Sequence, residues 1–298
     1  MRRLVAVAAV LAATTTAAAA TSPAPPRCFG AASRDPVHVC HNPALARLVS
    51  PGPWAALRLP NAPCAPPADV TAIPFACTFG APAEAALEQV ALLGDSHAVH
   101  WRPALGPIAV MRGWLGYSLT RRSCPYSTSV PDLPAWLRNQ CLRWRRTIPG
   151  WFRAHPEVHT VFVSSHRGGL LAGDAVGGFI AAWRRLPPSV HRIVVIRDTP
   201  MNTRVTRGCV LAAMRRHANA GAACAQPLAV ALSPDPAALA ARRLRSPRFR
   251  VVDLTHFFCD SRRCFPVVGG ALVYKNFPGH MTSTFAATLA PYLGAAIR

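Results

Sequence analysis

The sequence predicts an α/β fold, a parallel sheet with helices on both faces. From Gln89 onward, short apolar runs alternate with stretches of helical periodicity. That alternation implies parallel strands joined by crossover helices. Before Gln89 the pattern is different, rich in proline and cysteine with little periodicity. The chain therefore divides into an N-terminal extension and an α/β domain.

In order, Val90 to Leu93 is a short apolar run consistent with a buried first strand. Residues 98–112 carry apolar positions at helical spacing. Tyr117 to Thr120 reads as the second strand and 138–154 as the next helix. Val158 to Ser164 is the strongest strand signal, followed by a helical stretch over 174–186. His191 to Ile196 is the next strand, ending at Arg197-Asp198-Thr199-Pro200. Helical patterns follow at 207–218 and 235–245. Arg250 to Leu254 is the last strand and 281–297 the last helix. No internal repeat is visible.

Residues 1–20 have the build of a secretory signal peptide, with a basic start, an apolar run over Leu4 to Ala13 and small residues over Ala17 to Ala20. The alternative, an uncleaved membrane anchor, is disfavoured because the run falls short of the roughly 20 residues a span needs. The expected location is secreted or extracytoplasmic, with association at a membrane surface as an option. Residues 21–87 form the proline- and cysteine-rich extension, and 88–298 the main domain.

Ten cysteines fall as Cys28 and Cys40, Cys64 and Cys77, Cys124 and Cys141, Cys209 and Cys224, and Cys259 and Cys264. An even count in an exported chain favours disulfides, here expected in sequential pairs. A bridge closing about 15 residues contributes roughly 3 kcal/mol in the chain-entropy model. No CxxC pair occurs, so zinc is not expected.

The formal net charge is +21, and Lys275 is the sole lysine. Such a surface attracts anionic envelope polymers or lipid headgroups. No nucleic-acid recognition module is visible, so nucleic acid is not an expected partner.

Chemistry concentrates at Gly94-Asp95-Ser96-His97. Ser96 falls at the carboxyl end of the first strand and the start of a helix, where α/β sheets bind ligands. There its own backbone N–H is placed to stabilise an oxyanion. A serine needs a base, and His280 fits, following a Pro-Gly turn before the last helix. His97 and His100, beside the serine, read as surface residues. Asp95 reads as a loop-holding residue.

The segments LLGDSHAVHWRPAL at 92–105, Cys124-Pro125, IRDTP at 196–200, VVDLTHFFCDSRRCFPVVGGALVY at 251–274 and GHMTSTFAATLAPYL at 279–293 together resemble the SGNH-hydrolase domains fused to, or partnered with, type-3 acyltransferases. The resemblance implies a flavodoxin-like three-layer SGNH fold, Ser96 as acyl-accepting nucleophile and His280 as general base. It departs at one point. The family usually carries an aspartate shortly before this histidine, and here Asn276 stands instead. Either Ser96 and His280 work as a dyad, or Asp198, Asp253 or Asp260 supplies the charge. Oxyanion donors or supports are expected at Gly113 and at Ser164, with Ser165 and His166 beside it. Trp101 and Trp114 read as core.

The expected function is an exported serine-dependent O-acyltransferase or esterase acting on acylated envelope polysaccharide, with a membrane type-3 acyltransferase as candidate partner. The alternative is a non-catalytic polysaccharide-binding or scaffolding module on a decayed SGNH fold, which Asn276 motivates. No cofactor or metal is implied.

Overall fold

The computed structural model describes residues 24–298, so the segment read as a signal peptide lies outside the described residues. Six strands make the central sheet: β1 (Ala76–Gly80), β2 (Glu88–Gly94), β3 (Trp114–Thr120), β4 (Val158–Ser164), β5 (Arg192–Ile196) and β6 (Phe249–Val252). Their spatial order is β1-β3-β2-β4-β5-β6. All neighbours run parallel except β1, which pairs antiparallel with β3. Counting the parallel strands alone gives the order 2-1-3-4-5, the flavodoxin-like doubly wound sheet. The chain leaves β2 to one side for β3 and later returns to its other side as β4. The switch point is therefore at the carboxyl end of β2, next to Ser96.

The strands are apolar on both faces because both are covered. Val90 and Leu92 point into a core with Trp101, Leu105, Ile108 and Phe285. Ala91 and Leu93, alternating with them, point into a second core with Trp144, Phe152, Phe179 and Trp183. Trp101 and Trp114 are both buried in the first core, as expected from the sequence. The first face is covered by helices Arg102–Met111, Ser283–Thr288 and Ala290–Ala296. The other is covered by Ala135–Ala154, Ala175–Trp183 and Pro236–Leu244.

Proline sets two helix breaks that periodicity alone does not mark. The helical stretch at 98–112 is a one-turn helix, Ser96–Val99, followed by Arg102–Met111 with Pro103 in its first turn. The stretch at 281–297 is two helices meeting at Leu289, with Pro291 in the first turn of the second. A proline ring cannot donate to the preceding turn and clashes with its carbonyl, a cost that is absent in the first turn, where Pro103 and Pro291 sit.

Strand β1 comes from the proline-rich segment before residue 88, so that segment is part of the sheet as well as an attachment to it. Its pairing with β3 is anchored by Cys77, which bonds Cys64. The other bridges are Cys28–Cys40, Cys124–Cys141, Cys209–Cys224 and Cys259–Cys264, the sequential set expected from spacing. Among the described residues no helix is long and apolar enough to cross a membrane.

Candidate active site

The turn from β2 into the first helix is shaped by Gly94 and Asp95. Gly94 has φ +151°, and a Cβ there would stand 2.0 Å from the Ser164 carbonyl oxygen, so only glycine fits the close approach to β4. Asp95 caps the short helix, its carboxylate accepting from the His97 amide at 2.8 Å and the His166 amide at 3.0 Å. It thereby ties the serine turn to the loop after β4. Burial pushes its carboxyl up to about 6, against the pull of His97 and the two amides. Ser96 is the first helical residue, and its amide has no acceptor among the described residues.

His280 reaches Ser96 from the opposite end of the chain. It sits on a small hairpin, Tyr274–Asn276 paired with His280–Met281. Its Nε2 lies 2.8 Å from Ser96 Oγ. Its Nδ1–H donates to Asn276 Oδ1 at 2.7 Å. Since an amide oxygen only accepts, this bond puts the ring hydrogen on Nδ1 and leaves the Nε2 lone pair facing the serine hydroxyl. Burial, followed by the neighbouring His97 and His166, pushes His280 down to about 4. The ring is therefore neutral near pH 7, and its protonated form lacks a carboxylate beside Nδ1.

The carboxylates proposed from sequence as stand-ins are engaged elsewhere. Asp253 pairs with Arg197 at 2.7 Å and accepts from the Thr255 amide. Asp260 is exposed and holds the amides of Arg262 and Arg263. Asp198 is fully buried and takes the Nδ1–H of His97 at 2.7 Å, with further bonds from the amides of Arg167 and Thr199. None of the three reaches His280 directly. Asp198 comes nearest, with only the His97 ring between, whose centroid is 4.6 Å from that of His280.

The expectation that His97 and His100 lie on the surface is overturned. Both are buried, beneath the hairpin and the loops after β4 and β5. Burial opposes charge on both members of the His97–Asp198 pair, but their mutual attraction overcomes it, raising His97 and holding Asp198 below the carboxylate range. His97 is thus committed to Asp198 and is not free to serve Ser96. His100 is held well below its ordinary value by burial and by His97.

Gly113 is also corrected as an oxyanion donor. It precedes β3 and bonds the start of β2 through the Leu87 amide, at the amino end of the sheet. Ser96 is at the carboxyl end, a strand length of about 20 Å away. Ser164 is buried, and its Oγ accepts from Trp101 Nε1 at 3.2 Å, so it supports the turn from below. His166, one turn of loop further, does enter the site, its ring 4.5 Å from that of His97. The sequence marked it only by its place after the third parallel strand.

His97, His100 and Asp198 have nitrogen and oxygen atoms within 4.8 Å of one another, near enough to share an ion. Their hydrogen bonds argue otherwise. Asp198 already accepts from His97, Thr199 and Arg167, and His100 Nδ1 accepts from the Met281 amide. These contacts engage the carboxylate as an ion-pair residue, while His97 Nε2 and His100 Nε2 are buried with no partner among the described residues.

The chain matches the family described as the SGNH domain (fused to AT3 domains) over residues 63–295. Among solved structures it is similar to the periplasmic domain of the lipopolysaccharide acetyltransferase of Salmonella ser. Paratyphi A. The TM-score is 0.55 at 14% identity, covering 70% of this chain and 83% of that one. At that identity the likeness is one of fold. Among curated proteins no sequence matches.

Proposed function

Because the chain belongs to the SGNH domain family fused to AT3 domains, we propose that it is an exported serine-dependent O-acyltransferase or esterase of envelope polysaccharide. The observation that carries this reading is the hydrogen-bonded line Ser96 Oγ, His280 Nε2, His280 Nδ1, Asn276 Oδ1, at 2.8 and 2.7 Å.

In the proposed cycle, Ser96 Oγ attacks the acyl carbonyl while His280 Nε2 takes its proton. The tetrahedral oxyanion meets the Ser96 N–H. On collapse the bond to the donor oxygen breaks, and His280 returns the proton to that leaving group. The acyl-Ser96 ester is then attacked by a sugar hydroxyl, or by water, with His280 again accepting the proton. The second adduct collapses by breaking the bond from the acyl carbon to Ser96 Oγ, and His280 returns the proton to that oxygen. A sugar acceptor makes the protein a transferase and water makes it an esterase. No cofactor enters these steps. Asn276 sets the tautomer and orients the ring, as an acid would, but does not stabilise the imidazolium charge.

Export is supported by the five disulfides, which persist in oxidising compartments, and by the composition of residues 1–20. A membrane type-3 acyltransferase is the proposed acyl supplier. The neighbouring structure, the periplasmic domain of a lipopolysaccharide acetyltransferase, accords with a glycan acceptor. Asn276 in place of a carboxylate favours one second reading, a polysaccharide-binding module that does not turn over. The two separate in an assay of purified protein with an activated acetyl ester. Ester cleavage lost in Ser96→Ala supports the enzyme; cleavage equal in Ser96→Ala and wild type rules out Ser96 as the nucleophile.

A further inference from the structure

On the Asn276 side of the Ser96–His280 pair lies a cavity of about 200 Å³ that the ester chemistry does not use. Three cations line it, Arg204, Arg207 and Lys275, and no aspartate or glutamate does. None of the three has an acidic partner among the described residues. Its positive charge is uncompensated.

Two aromatic side chains frame the arginines. The Arg204 guanidinium lies 4.7 Å from the Phe277 ring centre, and that of Arg207 lies 4.8 Å from the Trp54 ring. Both rings remain open to solvent, Phe277 at 40% and Trp54 at 56% exposure. Trp54 belongs to the helix Pro53–Arg58, so the N-terminal segment supplies one wall. At the back stand Asn202 and Tyr274, each 6% exposed. Asn202 Oδ1 and the Tyr274 hydroxyl have no hydrogen-bond partner among the described residues. A second depression, lined by Trp54, Arg204, Val205 and Arg207, carries the same surface outward.

Each feature selects for a different part of one ligand. Stacked arginines hold their forks oriented for a planar or tetrahedral oxyanion. The Asn202 amide oxygen, buried without a partner among the described residues, calls for a donor, which a hydroxyl supplies. Exposed aromatic faces bury the apolar face of a sugar ring. The outward continuation fits a chain rather than a free ion.

We propose that this cavity binds the acceptor chain, and that the acceptor is an acidic glycan, its sugars carrying carboxylate or phosphate groups. Its link to catalysis rests on the acyl-transfer reading above, because Asn276 is shared by the cavity wall and by the hydrogen bond to His280. Binding itself does not depend on turnover.

The test uses the full chain carrying Ser96→Ala, titrated with oligogalacturonate, with its neutral methyl ester, and with poly(glycerol phosphate). One of the two anionic polymers is expected to bind at least 10-fold more tightly than the methyl ester, and the tighter one identifies the charged group. Adding Arg204→Gln with Arg207→Gln is expected to weaken that binding 10-fold or more, with an unchanged melting temperature as the check on folding. Arg242→Gln with Arg243→Gln, on the helix Pro236–Leu244 and lining neither depression, is expected to leave it intact. Equal binding of the neutral ester overturns the proposal. So does an Arg204/Arg207 variant that binds like its parent, or an equal loss in the Arg242/Arg243 variant, which marks unspecific attraction to a basic protein. Because Ser96 is absent throughout, these results stand apart from the ester assay. Failure of that assay removes the catalytic reading alone.

Discussion

Asn276 Oδ1 accepts the Nδ1–H of His280 at 2.7 Å, in the place where a serine hydrolase ordinarily presents a carboxylate. The amide performs half of the acid's task. It fixes the tautomer that aims a lone pair at Ser96, and in the proposed cycle it offers no negative charge to the imidazolium that would form during attack. In a protease triad, replacing acid by amide costs about 10⁴ through the wrong tautomer. Here the tautomer is right, so in the proposed cycle only the missing charge would limit the rate.

Asn276→Asp is therefore expected to raise turnover of an activated acetyl ester. A hydrogen bond to a charged group contributes about 1.5–3 kcal/mol, so the gain in kcat is about 10- to 100-fold. Steady-state kinetics of the variant beside wild type checks this. A fall in kcat contradicts it.

The same substitution moves the pH profile. In the wild type His280 is held down to about 4, by burial first and then by His97 and His166. In the proposed cycle only the neutral ring serves as base, so activity is expected to be retained through the mildly acidic range and to fall as pH drops through about 4. A carboxylate at 276 favours the protonated ring and shifts that limb upward. The pH dependence of kcat/KM for both proteins, over the range where each stays folded, measures it.

How far the sequence carried can be judged from particular residues. The strand-to-helix serine, the terminal histidine and the five bridges were legible because each is a local pattern, a capped turn, a Pro-Gly turn or a short cysteine spacing. Strand β1 was not, because Ala76–Gly80 lies within the proline-rich segment and gains its identity only by pairing with β3. His97 and His100 were misplaced at the surface because what buries them arrives from residues 164–169, 198 and 274–281, far along the chain. Gly113 failed for a topological reason, since a glycine between a helix and a strand says nothing about which end of the sheet it occupies.

The buried pair carries a stability prediction. Asp198 is held below the carboxylate range although burial alone would raise it, because His97 and Arg167 face it. Its charge therefore stabilises the fold at pH values above the unfolded aspartate value of about 3.9, and that contribution fades as pH falls below it. Asp198→Asn leaves His97 and Arg167 without their anion and is expected to cost about 3–5 kcal/mol at neutral pH. Urea unfolding at pH 7 and at low pH checks both size and sign, with the gap between the proteins narrowing in acid.

Cys124–Cys141 joins the loop after β3 to the helix Ala135–Ala154 across a separation of 17 residues, with both side chains buried. Replacing both by alanine is expected to lower stability by about 3 kcal/mol, from the loop-closure entropy restored to the unfolded chain. Denaturant titration under oxidising conditions measures the difference.

The central claim is that Ser96 carries the acyl group. Brief incubation with an activated acetyl ester, acid quench, and peptide mass mapping test it most directly. One acetyl group on the peptide containing Ser96, lost in Ser96→Ala and much reduced in His280→Ala, is the expected result. An acetyl group elsewhere, or one that persists in Ser96→Ala while ester cleavage continues, contradicts the account.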